Sequence, residues 1–542
     1  MQRREFLKLA GSVAAGATLA EACSTPETAR HGRPPTSTSP RPPTSTTVIS
    51  PTSVPTTTVP VRPVPADWRK LEASLDGQLV RPSSAGYPVD VRSYNPIFDG
   101  AHPEAIAYCA TTADVSLALE FAERHGIELS LRSGGHCYGG WSTGSGLVVD
   151  VSPMNQVDYD PVTGLVSVGS GTRLIDLYAG LAPHGVAVPG GSCPSVGIAG
   201  LALGGGFGVL GRKLGLTCDY LAAAEVVLAS GETVTCDATH HPDLFWASRG
   251  GGGGSFGVVT RFSFVTHPIG ELGLFTLVWP WSKAATVASA WQDWAPLAPD
   301  ELWSNCLLVA SQSTPTGEAP AARVTGVYVG PQAALQTLVD ELVSEIGTSP
   351  FTEFVGSAGY LDTMLIEGGC ENDTVAECHL TGESPAGTLT RGPFVAKSNI
   401  VNSKLSSAAV ATMLAAVEQR QASPVLSGGG FVLDAAGGAI NRVAPDATAY
   451  VHRRSLATLQ YVANWGDPSS STVAAANRRW IGATWRSMHP YVSSGAYSNY
   501  ADPELVGWQQ AYWGSNLARL TEIKRAYDPL NVFRFPQSIP PG

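Results

Sequence analysis

Two glycine-rich runs carry the side chains best suited to covalent chemistry. Leu131-Arg132-Ser133-Gly134-Gly135-His136-Cys137-Tyr138 offers an imidazole, and the run from Gly190 to Gly208 offers a thiol at Cys193. Glycine admits positive φ and lets backbone N–H groups approach a ligand with no Cβ in the way. Successive N–H groups in such a loop form a concavity that binds phosphate oxygens. A pyrophosphate cradle beside an imidazole points to a dinucleotide cofactor, one open to a bond with the protein.

Arg132-Ser133-Gly134-Gly135-His136 with Tyr138, then Cys193-Pro194-Ser195-Val196-Gly197 and the Gly204–Gly206 run, resemble the berberine-bridge-enzyme-like flavoprotein oxidases. That family belongs to the wider vanillyl-alcohol-oxidase, or PCMH-type, group of FAD domains. The resemblance implies FAD bonded through His136 to the 8α carbon and through Cys193 to C6. It also implies a cofactor cradle of Arg132, Ser133, Gly134, Gly135, His136, Cys137, Tyr138 and Ser142 from the first run. The second run adds Gly191, Ser192, Cys193, Val196, Gly197, Ile198, Gly200, Leu201, Gly205, Gly206 and Gly208. Gly257, Val258 and Val259 stand for the adenine end, and Asn531 and Phe533 for the returning tail.

Tyr497-Ser498-Asn499-Tyr500-Ala501-Asp502 is similar to the family's Tyr-x-Asn-Tyr-x-Asp, and Tyr512 to Asn516, Leu520, Lys524, Tyr527-Asp528-Pro529 and Gln537 follow its closing helix and tail. The match runs from about residue 90 to the end and is weakest over 270–440. It implies oxidation of an alcohol, often a sugar hydroxyl, with Tyr500 as first candidate for the base, Tyr497 as second, and Gln460 orienting the substrate. Free tyrosine, with a pKa of about 10, is a poor base at neutral pH unless neighbours lower that value. Oxygen would restore the flavin and release peroxide. A dehydrogenase passing electrons to a quinone or protein acceptor, and a surface-tethered binding module with a degenerate flavin site, are the alternatives.

Composition narrows the field independently. A chain of 542 residues with 44% hydrophobic and 15% charged residues is large enough for two or three packed domains. Its net charge of −11 argues against a nucleic-acid partner. Nine cysteines are too few for a disulfide scaffold at this length. Neither they nor His240-His241 have metal-ligand spacing, so no metal is expected.

The elements that must position the two loops follow in order. Residues 1–23 read as an export signal, with Arg3-Arg4 as a twin-arginine pattern and Cys23 as a possible lipid-acceptor position. Residues 24–66 are rich in Pro, Thr and Ser with scarcely an apolar side chain, and read as a disordered tether. Residues 67–268 form the FAD-binding domain, 269–490 the substrate domain, and 491–542 a segment returning to the first. Thr111 to Asp114 predicts a capping box for a helix ended by Gly126, with a strand then feeding the His136 loop. Beyond Pro268, strands alternate with helices over Ala284–Trp294 and Gln332–Glu345. The expected class is α+β: a two-part FAD domain, and an antiparallel sheet covered by helices on one face. Ala449–His452 is expected to pair with Thr458–Val462, and Cys370 with Cys378 as a disulfide. Trp281, Trp291, Trp294, Trp303 and Trp465 are candidates for stacking on sugar faces.

Overall fold

The structure, a computed structural model, describes residues 61–311 and 320–542. The export signal, Cys23 and nearly all of the tether lie outside the described residues.

The first half of the chain builds two sheets. Ala105–Tyr108, Leu147–Asp150 and Leu129–Arg132 run parallel, and Gln78–Val80 closes one edge antiparallel. The helix Thr112–His125 starts at the capping box of Thr111 with Asp114 and ends at Gly126, whose φ of 61° needs no Cβ. Its Val115, Ala118, Leu119 and Ala122 pack on the sheet with Leu147 and Val149. The parallel strands therefore deliver the residues after Arg132 to their carboxyl ends, the edge at which open α/β sheets hold ligands. Register places Arg132 opposite Asp150, and the two form a buried ion pair that fixes the start of the His136 loop. The second sheet has five antiparallel strands, in the order Val157–Asp160, Leu165–Gly169, Val258–Val265, Leu221–Val227 and Thr233–Asp237.

The second half of the chain builds one antiparallel sheet of seven strands. Its order is Thr352–Ala358, Leu272–Pro280, Ala321–Tyr328, Leu302–Ala310, Gly429–Ala435, Ala457–Asn464 and Phe394–Val401. Strand alternation divides its side chains cleanly. Cys306, Leu308, Phe431, Leu433, Leu459 and Tyr461 join a core with the helices Ala284–Trp294, Gln332–Ile346, Ser407–Gln421 and Ser471–Met488. Intervening residues face the other way and include a polar group: Asn305, Asp434 and Thr458 are direct cross-strand neighbours, and Gln460 lies two residues beyond Thr458, opposite Val432. The α+β class and the helices on a single face agree with expectation.

Ala449–His452 is not a strand. Strand Ala457–Asn464 pairs instead with Gly429–Ala435 and Phe394–Val401. The backbone of 448–450 is satisfied elsewhere: Asn516 Nδ2 donates to the carbonyls of Thr448 and Ala449, and Tyr450 N donates to Arg249 O at 3.1 Å. Arg453, fully buried against Asp219, then turns the chain back. The segment links two neighbouring strands of the large sheet and packs on the first half through Arg249 and Asp219. Cys370 and Cys378 are disulfide-bonded, with Cα atoms 5.8 Å apart.

The C-terminal helix Leu517–Tyr527 returns to the first half. Lys524 is completely buried and donates to Asp528 Oδ2 at 2.7 Å, Phe533 O at 2.7 Å and Ser255 O at 2.6 Å. One ammonium thus ties the tail to the end of the five-glycine run 250–254.

Candidate active site

The carboxyl edge of the parallel strands, the second glycine run and the polar face of the large sheet enclose one cavity of about 320 Å³. His136 and Cys193 both line it. Their loops cross at Gly134 and Gly197. A Cβ on Gly134 would sit 2.1 Å from Gly197 N, and one on Gly197 would sit 2.3 Å from Gly134 N, so only glycine fits on either side. His136 Nε2 lies 2.9 Å from Ser195 Oγ, which joins the imidazole directly to the Cys193 loop. Its ring stacks on Tyr94 with centroids 3.8 Å apart. Desolvation, with the Arg173 guanidinium nearby, lowers the His136 pKa to about 3. The imidazole is therefore neutral at working pH, with a free lone pair available as a nucleophile.

The cavity fits a flavin dinucleotide by what it leaves unpaired. Ser142 Oγ and Trp513 Nε1 are buried on its wall without a hydrogen-bond partner, which is the condition a bound polar ligand relieves. Backbone from 251 to 254 lines the far end. Arg132, Ser133, Gly134, Gly135, Cys137, Tyr138, Gly191, Ser192, Val196, Gly200, Leu201, Gly208, Gly257, Val258, Val259 and Phe533 are on the wall as well. Ile198, Gly205, Gly206 and Asn531 are not. Ile198 is in the core, and Asn531 turns the tail with a φ of 52°. Gly206 acts from behind: its N–H donates to Tyr497 Oη at 3.0 Å.

The tyrosines separate by environment. Tyr497 is 2% exposed, and its oxygen receives Gly206 N, Phe207 N at 3.3 Å and Asn499 Nδ2 at 2.9 Å. Despite these donors, burial pushes its pKa up to about 12. Tyr500 stacks on Tyr138 at 5.4 Å, and Gln460 Nε2 donates to Tyr138 Oη at 3.2 Å. Tyr500 also packs edge-on against Tyr497, with centroids 5.0 Å apart, whereas Gln460 reaches the tyrosines only through Tyr138 and does not itself line the cavity. Nothing lowers the Tyr500 pKa: burial raises it well above its usual value, and the Asp434 charge raises it further.

Asp434 and Glu367 also line the cavity, and sequence reasoning misses both. Asp434 is 5% exposed, and its Oδ1 has no hydrogen-bond partner. Burial raises its pKa to about 7, with Asn305 and Thr458 opposing. Glu367 is raised to about 7 by burial and by the Asp434 charge. A carboxyl titrating near neutrality is matched to general-base work in a way a buried tyrosine is not. One signal for Asp434 was available: it is the lone charge in the apolar run Phe431 to Ala436. Glu367 carries none. Of the five tryptophans considered for stacking, Trp303 alone lines the cavity, while Trp291 and Trp294 sit in the core under the helices.

Comparison with known proteins supports an FAD-linked oxidoreductase. A pattern described as an FAD binding domain matches residues 103–237, and one described as berberine and berberine-like matches 496–540. An uncharacterized FAD-linked oxidoreductase of Bacillus subtilis, YgaK, is 33% identical over 81% of this chain and 92% of its own. A chitooligosaccharide oxidase of Gibberella zeae is 30% identical over 81% of this chain and 87% of its own. The solved structure of BBE-like 1 from Physcomitrella patens superposes with a TM-score of 0.79 at 31% identity, over 87% of this chain and 99% of that one. A two-half fold closed around one cavity, with both glycine runs and the returning tail on its wall, thus makes this chain a member of the berberine-bridge-enzyme-like FAD-linked oxidoreductases.

Proposed function

We propose that this enzyme oxidises a hydroxyl of a sugar or oligosaccharide on FAD bonded to both His136 and Cys193, with oxygen as final acceptor. The observation that carries the reading is the buried Asp434 carboxyl, whose Oδ1 has no hydrogen-bond partner, lining the same cavity as those two nucleophiles. FAD, when bound, supplies the acceptor for the hydride leaving the carbinol carbon and passes two electrons to oxygen, which departs as hydrogen peroxide. The chain's own residues handle the remaining proton. Asp434, ionised, takes it from the hydroxyl as the carbonyl forms. Tyr500, with a pKa raised too far to act as the base alone, keeps its proton and donates a hydrogen bond to the substrate oxygen or to Asp434. Gln460 fixes Tyr138, and Trp303 and Tyr500 offer faces to the sugar ring. The similarity to a chitooligosaccharide oxidase supports the substrate class.

Denaturing the purified enzyme in acid tests the linkage. Yellow colour stays with the precipitate in the wild type, falls in His136→Ala and in Cys193→Ala, and is lost to the supernatant in the double variant. Colour wholly in the wild-type supernatant refutes covalent attachment. Peroxide release over an oligosaccharide panel then separates an oxidase from a dehydrogenase. The Arg3-Arg4 pattern makes the same reading that of an exported enzyme, with Cys23 as its lipid-bearing residue; fractionation with Arg3→Lys and Arg4→Lys together is expected to leave it in the cytoplasm.

A further inference from the structure

Glu367 has no role in the reading above, and its surroundings give it one. It ends the helix Tyr360–Glu367, where the aligned peptide dipoles already place partial negative charge. Gly368 follows and presses on the Cys193 loop, since a Cβ there would lie 3.2 Å from Pro194 Cδ. The next turn is held by the Cys370–Cys378 disulfide, by His379 Nε2 to Asp176 at 3.1 Å, and by Arg173 to Glu383 at 2.7 Å. Glu367 is thus rigidly presented at the cavity, yet among the described residues its carboxylate makes no hydrogen bond or ion pair.

Among the described residues, no basic side chain of the cavity pairs with Glu367. Asp434 adds a second carboxyl with an unpartnered oxygen. Of the cavity's basic side chains, Arg132 pairs with Asp150 through Nε and keeps a buried, unpartnered Nη1, Arg534 lies 4.0 Å from Glu128, and His136 is neutral. Trp303, 5% exposed, leaves its indole N–H without an acceptor on the same wall. A ligand matching this wall carries a positive group for the carboxylates and an oxygen for the indole, beside an aromatic face.

We propose that Glu367 selects the substrate, its carboxylate receiving an ammonium group carried by the sugar, so that the preferred substrates are hydroxyl compounds of the amino-sugar class with a free amine. The proposal rests on the oxidase reading for its chemistry but concerns recognition alone. An ammonium held there leaves Asp434 free for the hydroxyl and favours its ionised form. An N-acetyl group would remove the charge, and a uronic acid would set a third carboxylate against two.

The test compares kcat and KM of the holoenzyme for glucosamine, N-acetylglucosamine, glucose and glucuronate oligosaccharides of one length, at a pH where the amine is protonated. The free-amine substrate is expected to lead the N-acetyl and neutral ones in kcat/KM by roughly tenfold or more, chiefly through KM, as suits one charge-assisted contact. In Glu367→Gln the ratio of amine to neutral substrate falls towards one, and in Glu367→Asp it stays above one. Calorimetry with glucosaminitol, which has the amine but no anomeric hydroxyl, is expected to show binding to wild type that Glu367→Gln weakens by a similar factor. An amine preference absent in the wild type, or unchanged in Glu367→Gln, overturns the proposal and leaves the oxidase reading standing. If no sugar is turned over but glucosaminitol still binds through Glu367, the oxidase reading fails and the recognition site survives.

Discussion

Replacing Asp434 by Asn keeps the shape of the side chain and removes its ability to accept a proton. The residue sits on the interior strand Gly429–Ala435, between Asn305 and Thr458, and its pKa of about 7 lies within the working range. Glu367 shares its field, so the titration belongs to the pair and appears as one macroscopic limb. For a base, activity rises with pH as the carboxyl ionises. The kcat/KM of the wild type is therefore expected to climb through an acid limb near neutrality and then level. General-base contributions are worth roughly 10²–10⁴ in rate, or roughly 3–5 kcal/mol of barrier. Asp434→Asn should lower the anaerobic flavin-reduction rate, followed by stopped-flow absorbance, by that range and flatten the limb. A loss of less than about threefold with the limb intact would refute the assignment and return the role of base to Tyr500.

Two further substitutions probe how the site is held. Tyr497→Phe strips the acceptor from Gly206 N, Phe207 N and Asn499 Nδ2; it is expected to cost about 1–3 kcal/mol in chemical denaturation while slowing flavin reduction less than roughly tenfold, whereas a loss as large as that of Asp434→Asn would make Tyr497 the base. Lys524→Met leaves the buried Asp528 carboxylate without its ammonium and frees Ser255 O and Phe533 O; a destabilisation of roughly 3–5 kcal/mol is expected, with FAD retained less tightly on dilution.

The local grammar of the fold was readable. Thr111, Asp114 and Gly126 announce both ends of a helix through short-range capping, and the bounds of Ala284–Trp294 follow from its apolar period. The loops with His136 and Cys193 were legible because glycine is demanded by a backbone contact between them. The failures share a cause in long-range pairing. Ala449–His452 alternates as a strand does, but Asn516 and Arg249 from distant segments take its hydrogen bonds. Glu367 and Asp434 lie in different elements, and only the register of seven strands and the turn of one short helix bring them to a common wall. Tyr500 was found by its motif, yet its raised pKa depends on burial that no motif records.

That burial also has a thermodynamic signature. A carboxyl whose folded pKa exceeds its unfolded value binds protons more tightly when folded, so it favours the native state at low pH and disfavours it as pH rises. For Asp434 the change from an ordinary value near 3.8 to about 7 sets the window, with the loss accumulating between those two limits. At about 1.4 kcal/mol per unit, the full penalty above neutrality is on the order of 4 kcal/mol, reached only if Asp434 ionises alone. The site retains that cost because a neutral residue there could not take a proton. Asp434→Asn should accordingly raise the denaturation midpoint at pH values above 8 and change it little below 4, the reverse of its effect on turnover. Equal shifts at both extremes would mean that the substitution acts through packing with Asn305 and Thr458, and that the carboxyl carries no folded-state charge penalty.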